Sequence, residues 1–307
     1  MNTALRGAVY GLGAAAIWGG MYVVSDAVLP VIPPFTLLTL RLVISITILA
    51  VIVLAVQRRT LPPLRDLLPT LAVGLLGFGV SVGAQFVGTD RSTAVNGALI
   101  TSASPAFILL FAAVLLRERM TRARIGAVAL ATVGVLVIID PAEADFSSAT
   151  FFGDMMLLVA AITWGLYSVL VRRLSRRVDT LLFSFLAPAG GLLLTLPASA
   201  AELPSRPVGE ITPAVILGVL YLGVISTALA MWMWNRAFAL VDASTASLFF
   251  FAQPLVGALL GWLVLGQELR ANILIGGALI ALGLLLALLR PAASRASRPA
   301  QPSDSRV

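Results

Sequence analysis

Cysteine, histidine and lysine are all absent from the 307 residues, so that every one of the 21 basic residues is Arg. Without thiols or imidazoles the chain has no cysteine nucleophile, no disulfide, no imidazole base and none of the usual transition-metal ligand sets, so neither a metal site nor a cofactor is expected. Charge is scarce as well: 11% of residues are charged and 59% are hydrophobic, where globular domains carry about 25% and about 45–50%. With a mean hydropathy of +1.01, this composition is that of an all-α integral membrane protein. The net charge of +7 does not indicate a nucleic-acid partner, because the Arg residues are scattered through short loops instead of forming one stripe. The expected partners are a small-molecule substrate and membrane lipid, with the chain a monomer or a homodimer. No phosphate-binding loop accompanies them: "GLLGFG" at 74–79 lacks the Lys-Ser/Thr that would follow and reads as helix packing.

Crossing a hydrocarbon core of about 30 Å takes about 20 apolar residues. Ten stretches qualify, at 7–29, 35–56, 66–88, 94–116, 123–140, 151–171, 180–199, 213–234, 242–265 and 271–290. The first could pass for a signal-peptide core but belongs to the series, and it reads as a retained span. Seventeen of the 21 Arg residues fall on one side of this arrangement, three on the other, and Arg41 lies within a span. By the positive-inside rule both termini are cytoplasmic, in what is expected to be a bacterial inner membrane. The last segment, 291–307, has too little apolar surface to fold and is expected to be a disordered cytoplasmic tail.

Five spans per half is an odd number, so two similar halves must enter the membrane in opposite senses. "WGGMY" in the first span is echoed by "WGLY" in the sixth. The end of the fourth span, "TSASPAFILLFAAVLLRERMTRARIGA", is echoed by "FFAQPLVGALLGWLVLGQELRANILIGG" at the end of the ninth. Pro105 precedes Glu118 by 13 residues and Pro254 precedes Glu268 by 14, and each Glu stands eight before a Gly. The expected fold is therefore ten transmembrane helices in a 5+5 inverted-topology repeat, the plan of many secondary transporters, with substrate held near the midplane.

Several residues within the spans are candidates for that site. Trp18 with Tyr22, and Trp164 with Tyr167, each share a helix face in mid-span, away from the interfaces where aromatic belts form. They suit the lining of a cavity, with tight helix packing as the alternative. The two clusters should approach one another if the halves are inverted. Arg41, buried at a cost of about 2.5–3.5 kcal/mol on insertion scales, could bind a substrate carboxylate or pair structurally with Asp26. Pro105 and Pro254 should break or kink their helices and free carbonyls near Thr101 and Phe250, with Thr101, Ser104, Ser247 and Gln253 beside them as polar lining. Gln85 and Asn96 are further candidates. Trp232 and Trp234, close to Arg236, read as a cytoplasmic aromatic belt. Glu118 and Glu268 read as caps or partners of neighbouring Arg residues, with gating or coupling as the alternative. No carboxylate sits in mid-span, which favours facilitated export or exchange; Asp26 and Asp154, at outer span ends, are the nearest groups for proton coupling.

Taken together, these features resemble the EamA family of bacterial exporters within the drug/metabolite transporter superfamily. The resemblance spans residues 7–290 and rests on the paired Trp-Gly motifs, Arg41 in "LLTLRLVISI", and the Pro, Glu, Gly pattern closing the fourth and ninth spans. It implies two EamA-like five-helix units, at 1–140 and 151–290, and no enzymatic activity. It also implies alternating access around a central cavity, with export or exchange of small metabolites such as amino acids. Multidrug or other metabolite transport in either direction is the runner-up, followed by a membrane protein that transports nothing.

Overall fold

The computed structural model describes residues 3–57, 62–92, 94–138, 142, 144–265 and 271–289. Glu268 and the tail 291–307 lie outside the described residues, as do the side chains of Tyr22, Asp26 and Trp262. All the regular structure among the described residues is helical, which follows from long apolar runs whose backbone groups must bond within their own segment in lipid.

The elements run α1 (Thr3–Val28), α2 (Pro34–Gln57), α3 (Leu64–Gly74), α4 (Val82–Arg91), α5 (Ala94–Thr101), α6 (Ser104–Leu115) and α7 (Arg122–Ile138). They continue as α8 (Phe151–Leu174), α9 (Thr180–Glu202), α10 (Pro213–Leu220), α11 (Ala230–Leu240), α12 (Ala243–Ala246), α13 (Ala252–Leu265) and α14 (Ala271–Leu289). A π-helical segment, Leu75–Ser81, joins α3 to α4, and a second, Tyr221–Leu229, joins α10 to α11. A 3₁₀ segment, Ser247–Phe251, joins α12 to α13. Among the described residues, five helical stretches are long and apolar enough to cross a membrane: Pro34–Val56, Leu64–Arg91, Phe151–Leu174, Thr180–Glu202 and Pro213–Leu240.

The breaks at the prolines have the expected form. α5 stops at Thr101, a two-residue turn follows, and α6 restarts with Pro105 in its first turn, where a missing N–H costs nothing. Before Pro254 the helix tightens to 3₁₀ geometry instead of breaking outright.

Packing partners are exchanged between the halves. α1 lies against α11 and α13, α8 lies against α4 and α6, α2 packs on α9, and α7 packs on α14. The α7–α14 contact is a glycine crossing: a Cβ on Gly134 would stand 2.7 Å from the Gly276 carbonyl oxygen, and one on Gly276 would stand 2.4 Å from that of Gly134. Facing outward, Leu54, Val56, Val114, Leu193 and Leu217 are each at least 66% exposed, an apolar exterior suited to lipid instead of water.

Candidate functional site

A narrow cavity of about 40 Å³ lies where the two halves meet. Its wall draws on both: Trp18 and Met21 from α1, Arg41 from α2, Gln85 from α4, Thr101 and Ser104 at the α5–α6 break, Ala160 and Trp164 from α8, and Phe250 and Gln253 around the 3₁₀ segment. Apolar walls with a few convergent polar groups are the make-up of small-molecule sites, and in this conformation the space between them is that of a few water molecules.

The two Trp-Gly motifs are built alike. The glycine of each lets a neighbouring helix come close: a Cβ on Gly19 would stand 2.9 Å from the Gln253 carbonyl oxygen, and one on Gly165 would stand 2.7 Å from Phe107 Cβ. α1 thus seats against α13, and α8 against α6, each just beside its proline. The adjacent indoles turn inward and meet edge to face, with ring centroids 5.5 Å apart, a favoured geometry for aromatic quadrupoles. The Trp18 indole N–H donates to the Ser226 carbonyl at 3.0 Å. That carbonyl lies in the π-helical segment Tyr221–Leu229, whose altered bonding register re-aims backbone groups.

Trp234 completes the cluster. It is fully buried, 5.2 Å from the Trp18 ring and 6.1 Å from the Trp164 ring, and donates to Ser168 Oγ at 3.4 Å. The aromatic-belt expectation therefore fails for Trp234: its ring points into the protein. Trp232, two residues away, points elsewhere, lies part-buried and packs edge-on against Tyr10.

Arg41 is 2% exposed and is held by neutral groups. Its Nε donates to Thr227 Oγ1 at 3.0 Å, its Nη2 approaches Ser226 Oγ at 3.4 Å and Met21 sulfur at 3.5 Å, and its guanidinium carbon sits 5.2 Å from the centre of the Phe86 ring. Thr227 Oγ1 in turn donates to the Leu222 carbonyl at 2.6 Å, which orients its lone pairs for the guanidinium. Among the described residues no carboxylate lies within ion-pair distance of Arg41, and Nη1 has no hydrogen-bond partner. Trp164 Nε1 is buried and unpartnered in the same sense.

Of the residues picked out from sequence, Trp18, Arg41, Gln85, Thr101, Ser104, Trp164 and Gln253 line this cavity. Tyr167, Asn96 and Ser247 do not. Tyr167 stacks behind Trp164, at 5.1 Å, and its hydroxyl donates to Asn235 Oδ1 at 3.0 Å, so it buttresses the wall. Asn96 accepts from the Asp145 N–H and donates to Asp154, tying the connection before α8 to α5. Ser247 donates to the Ser244 carbonyl within its own helical turn. Pro105 is buried and Pro254 part-buried beside the breaks they introduce.

Met21, Ser81, Val82, Ala160, Ala161, Met231 and Phe250 also line the cavity. Only Phe250 carried a sequence signal, as the position whose carbonyl Pro254 releases.

The carboxylates have structural partners. Asp154 is 4% exposed and accepts from Ser92 Oγ and Asn96 Nδ2. Glu118 accepts from the backbone N–H groups of Ala243 and Ser244, at 2.9 and 3.1 Å, and from Ser244 Oγ at 2.6 Å, capping α12 of the other half. Arg124 stands beside it, 3.7 Å from Glu118 and 2.6 Å from Asp242. Arg172 donates to the carbonyls of Phe238 and Ala239 at the end of α11.

Comparison with known proteins gives a consistent assignment. Residues 5–140 and again 151–289 match the EamA-like transporter family. An uncharacterized transporter of Archaeoglobus fulgidus is 27% identical over 281 residues, covering 88% of this chain and 94% of its own. The uncharacterized transporter YoaV of Bacillus subtilis is 25% identical over 283 residues, covering 90% and 94%. One crystal structure shares the fold with a TM-score of 0.79 at 20% identity, covering 92% of this chain and 96% of that one.

Proposed function

The chain belongs to the EamA-like transporter family, and from that premise we propose that it is a secondary transporter that exports or exchanges small amphipathic metabolites by alternating access to the cavity between Trp18 and Trp164. The observation that carries this reading is the make-up of the cavity: it is narrow in this conformation, about 40 Å³, and it is walled by both family-matching halves, with an indole from each meeting at its edge. Amino acids and similar solutes fit its mixture of aromatic faces and amide and hydroxyl groups; other metabolites or drugs are the second choice.

In this proposal the helices form ten spans in two inverted five-helix units. The paired π-helical segments, the paired disruptions before Pro105 and Pro254, and the reciprocal packing of α1 on α13 and α8 on α6 support it. The protein would sit in a bacterial inner membrane with both termini cytoplasmic. Glu118 would serve as a gate by holding α12 of the opposite half, releasing it when the cavity changes sides; Glu268 is the candidate for the equivalent role. Asp154, buried with neutral partners, and Asp26 are the groups through which protons could be coupled.

Reconstituted into liposomes, the protein should catalyse saturable counterflow of a labelled solute from an amino-acid panel. Trp18→Ala and Trp164→Ala should each reduce it by at least about fivefold, since each removes an aromatic surface worth about 1 kcal/mol. Counterflow unaffected by both substitutions would remove the cavity from the transport path.

A further inference from the structure

The cavity wall has an imbalance of charge and of hydrogen-bond donors. Among the described residues Arg41 is its one ionised side chain, and no Asp or Glu lines it. Arg41 binds only neutral protein groups, and its Nη1 is left without an acceptor among the described residues. Trp164 Nε1, in the same wall, is a second donor without an acceptor. The hydroxyl protons of Ser81 and Thr101 are already committed to the carbonyls of Ala160 and Gly97, so neither residue contributes a further donor. What the wall lacks among the described residues is negative charge.

Burial makes that deficit consequential. A desolvated guanidinium bound only by neutral groups retains most of its electrostatic potential, and charge-assisted bonds to a carboxylate are the strongest it can make. Its planar fork suits two oxygens. The rest of the wall, with Trp18, Trp164, Phe250, Met21 and Met231, offers flat and deformable apolar surface and no anion to receive an ammonium group.

We propose that the transported solute is a small monoanion, a carboxylate on an apolar or aromatic body, and that Arg41 selects it by its charge over cationic, neutral and zwitterionic solutes of the same shape. This rests on reading the cavity as the transport site, and it replaces the amino acids of that reading, which are zwitterions, with monocarboxylates as the first choice of solute. A carboxylate that reached Arg41 Nη1 and Trp164 Nε1, both buried in this conformation, would give each its missing acceptor. An amine meets uncompensated like charge, a neutral amide forgoes the ion pair, and a zwitterion leaves its ammonium without a counter-charge.

The test uses four solutes sharing a benzyl group: phenylacetate, phenylalanine, phenylacetamide and phenylethylamine. Their binding to purified protein in detergent is measured calorimetrically, with counterflow of each measured in liposomes. Phenylacetate should bind at least about tenfold more tightly than any of the other three, as expected for a charge-assisted bond made in a desolvated site. Arg41→Met should abolish the preference, and Arg41→Lys, which keeps the charge and loses the fork, should retain part of it. Thermal melting of both variants checks that they fold, and the wild-type ranking stands as a test even if neither does. Equal or weaker binding of phenylacetate overturns the proposal, as does the absence of saturable phenylacetate binding at millimolar concentration. The two readings fail differently. Anion-selective binding without counterflow of any of the four keeps the anion site and overturns transport. Counterflow of all four at equal rates keeps transport and overturns anion selection.

Discussion

Trp234 touches Trp18, Trp164, Phe238 and Phe250 and has no exposed surface of its own. Trp232 makes one edge contact, to Tyr10. Truncating a buried Trp leaves a cavity at a cost of about 3–5 kcal/mol, so Trp234→Ala should lower the thermal melting temperature several times more than Trp232→Ala. Equal shifts would put Trp234 back among interfacial anchors. Its proximity in sequence to Arg236 made it look like one. Two residues along a helix is about 200° of rotation, so the pair cannot share a face, and Phe238, one turn on, marked the buried side. Trp18, Trp164 and Arg41 were legible for a different reason: a bulky donor or a charge in mid-span needs a protein partner. The small residues Ala160 and Ala161, which shape the same wall, carry no such signal.

At the level of elements, Pro105 and Pro254 announced their own disruptions, because a missing N–H and a ring clash are properties of the residue. The two π-helical segments could not be read this way. Leu75–Ser81 and Tyr221–Leu229 contain no proline, and their wider register is set by what they pack against: Ser226 and Thr227 hold Trp18 and Arg41. The end of α6 is likewise a tertiary matter. Arg117 adopts a left-handed conformation, φ 55°, which turns Glu118 toward α12. In the other half the residue 12 positions after the proline is Gly266, the residue type that favours such a turn. Glu118 caps a short helix that has little else to hold its first amides. Glu118→Ala should therefore cost about 1–2 kcal/mol locally and speed amide hydrogen exchange across Ala243–Ser247 by roughly tenfold, read by mass spectrometry. Exchange unchanged in that segment would mean that the cap, and the gate built on it, holds nothing.

For the whole molecule, composition and run length identified an all-helical chain with membrane-length apolar helices, and two family-matching stretches bear out the internal repetition. The partnering of helices was mostly hidden. The glycine crossing of α7 on α14 and the exchange of α13 onto α1 and α6 onto α8 depend on shape matching between surfaces far apart in sequence. That exchange places a cavity between the halves, and the central claim is that the cavity opens to each side of the membrane in turn. Because the chain contains no cysteine, a single thiol can be placed at Gln85, on the cavity wall, with no background to remove. Labelling of Gln85→Cys by a membrane-impermeant maleimide is then compared in right-side-out and inside-out vesicles, with a transported solute added to one face or the other. Alternating access predicts reaction from both faces, with the balance shifting when the solute is moved across. Reaction confined to one face, wherever the solute is placed, would contradict it.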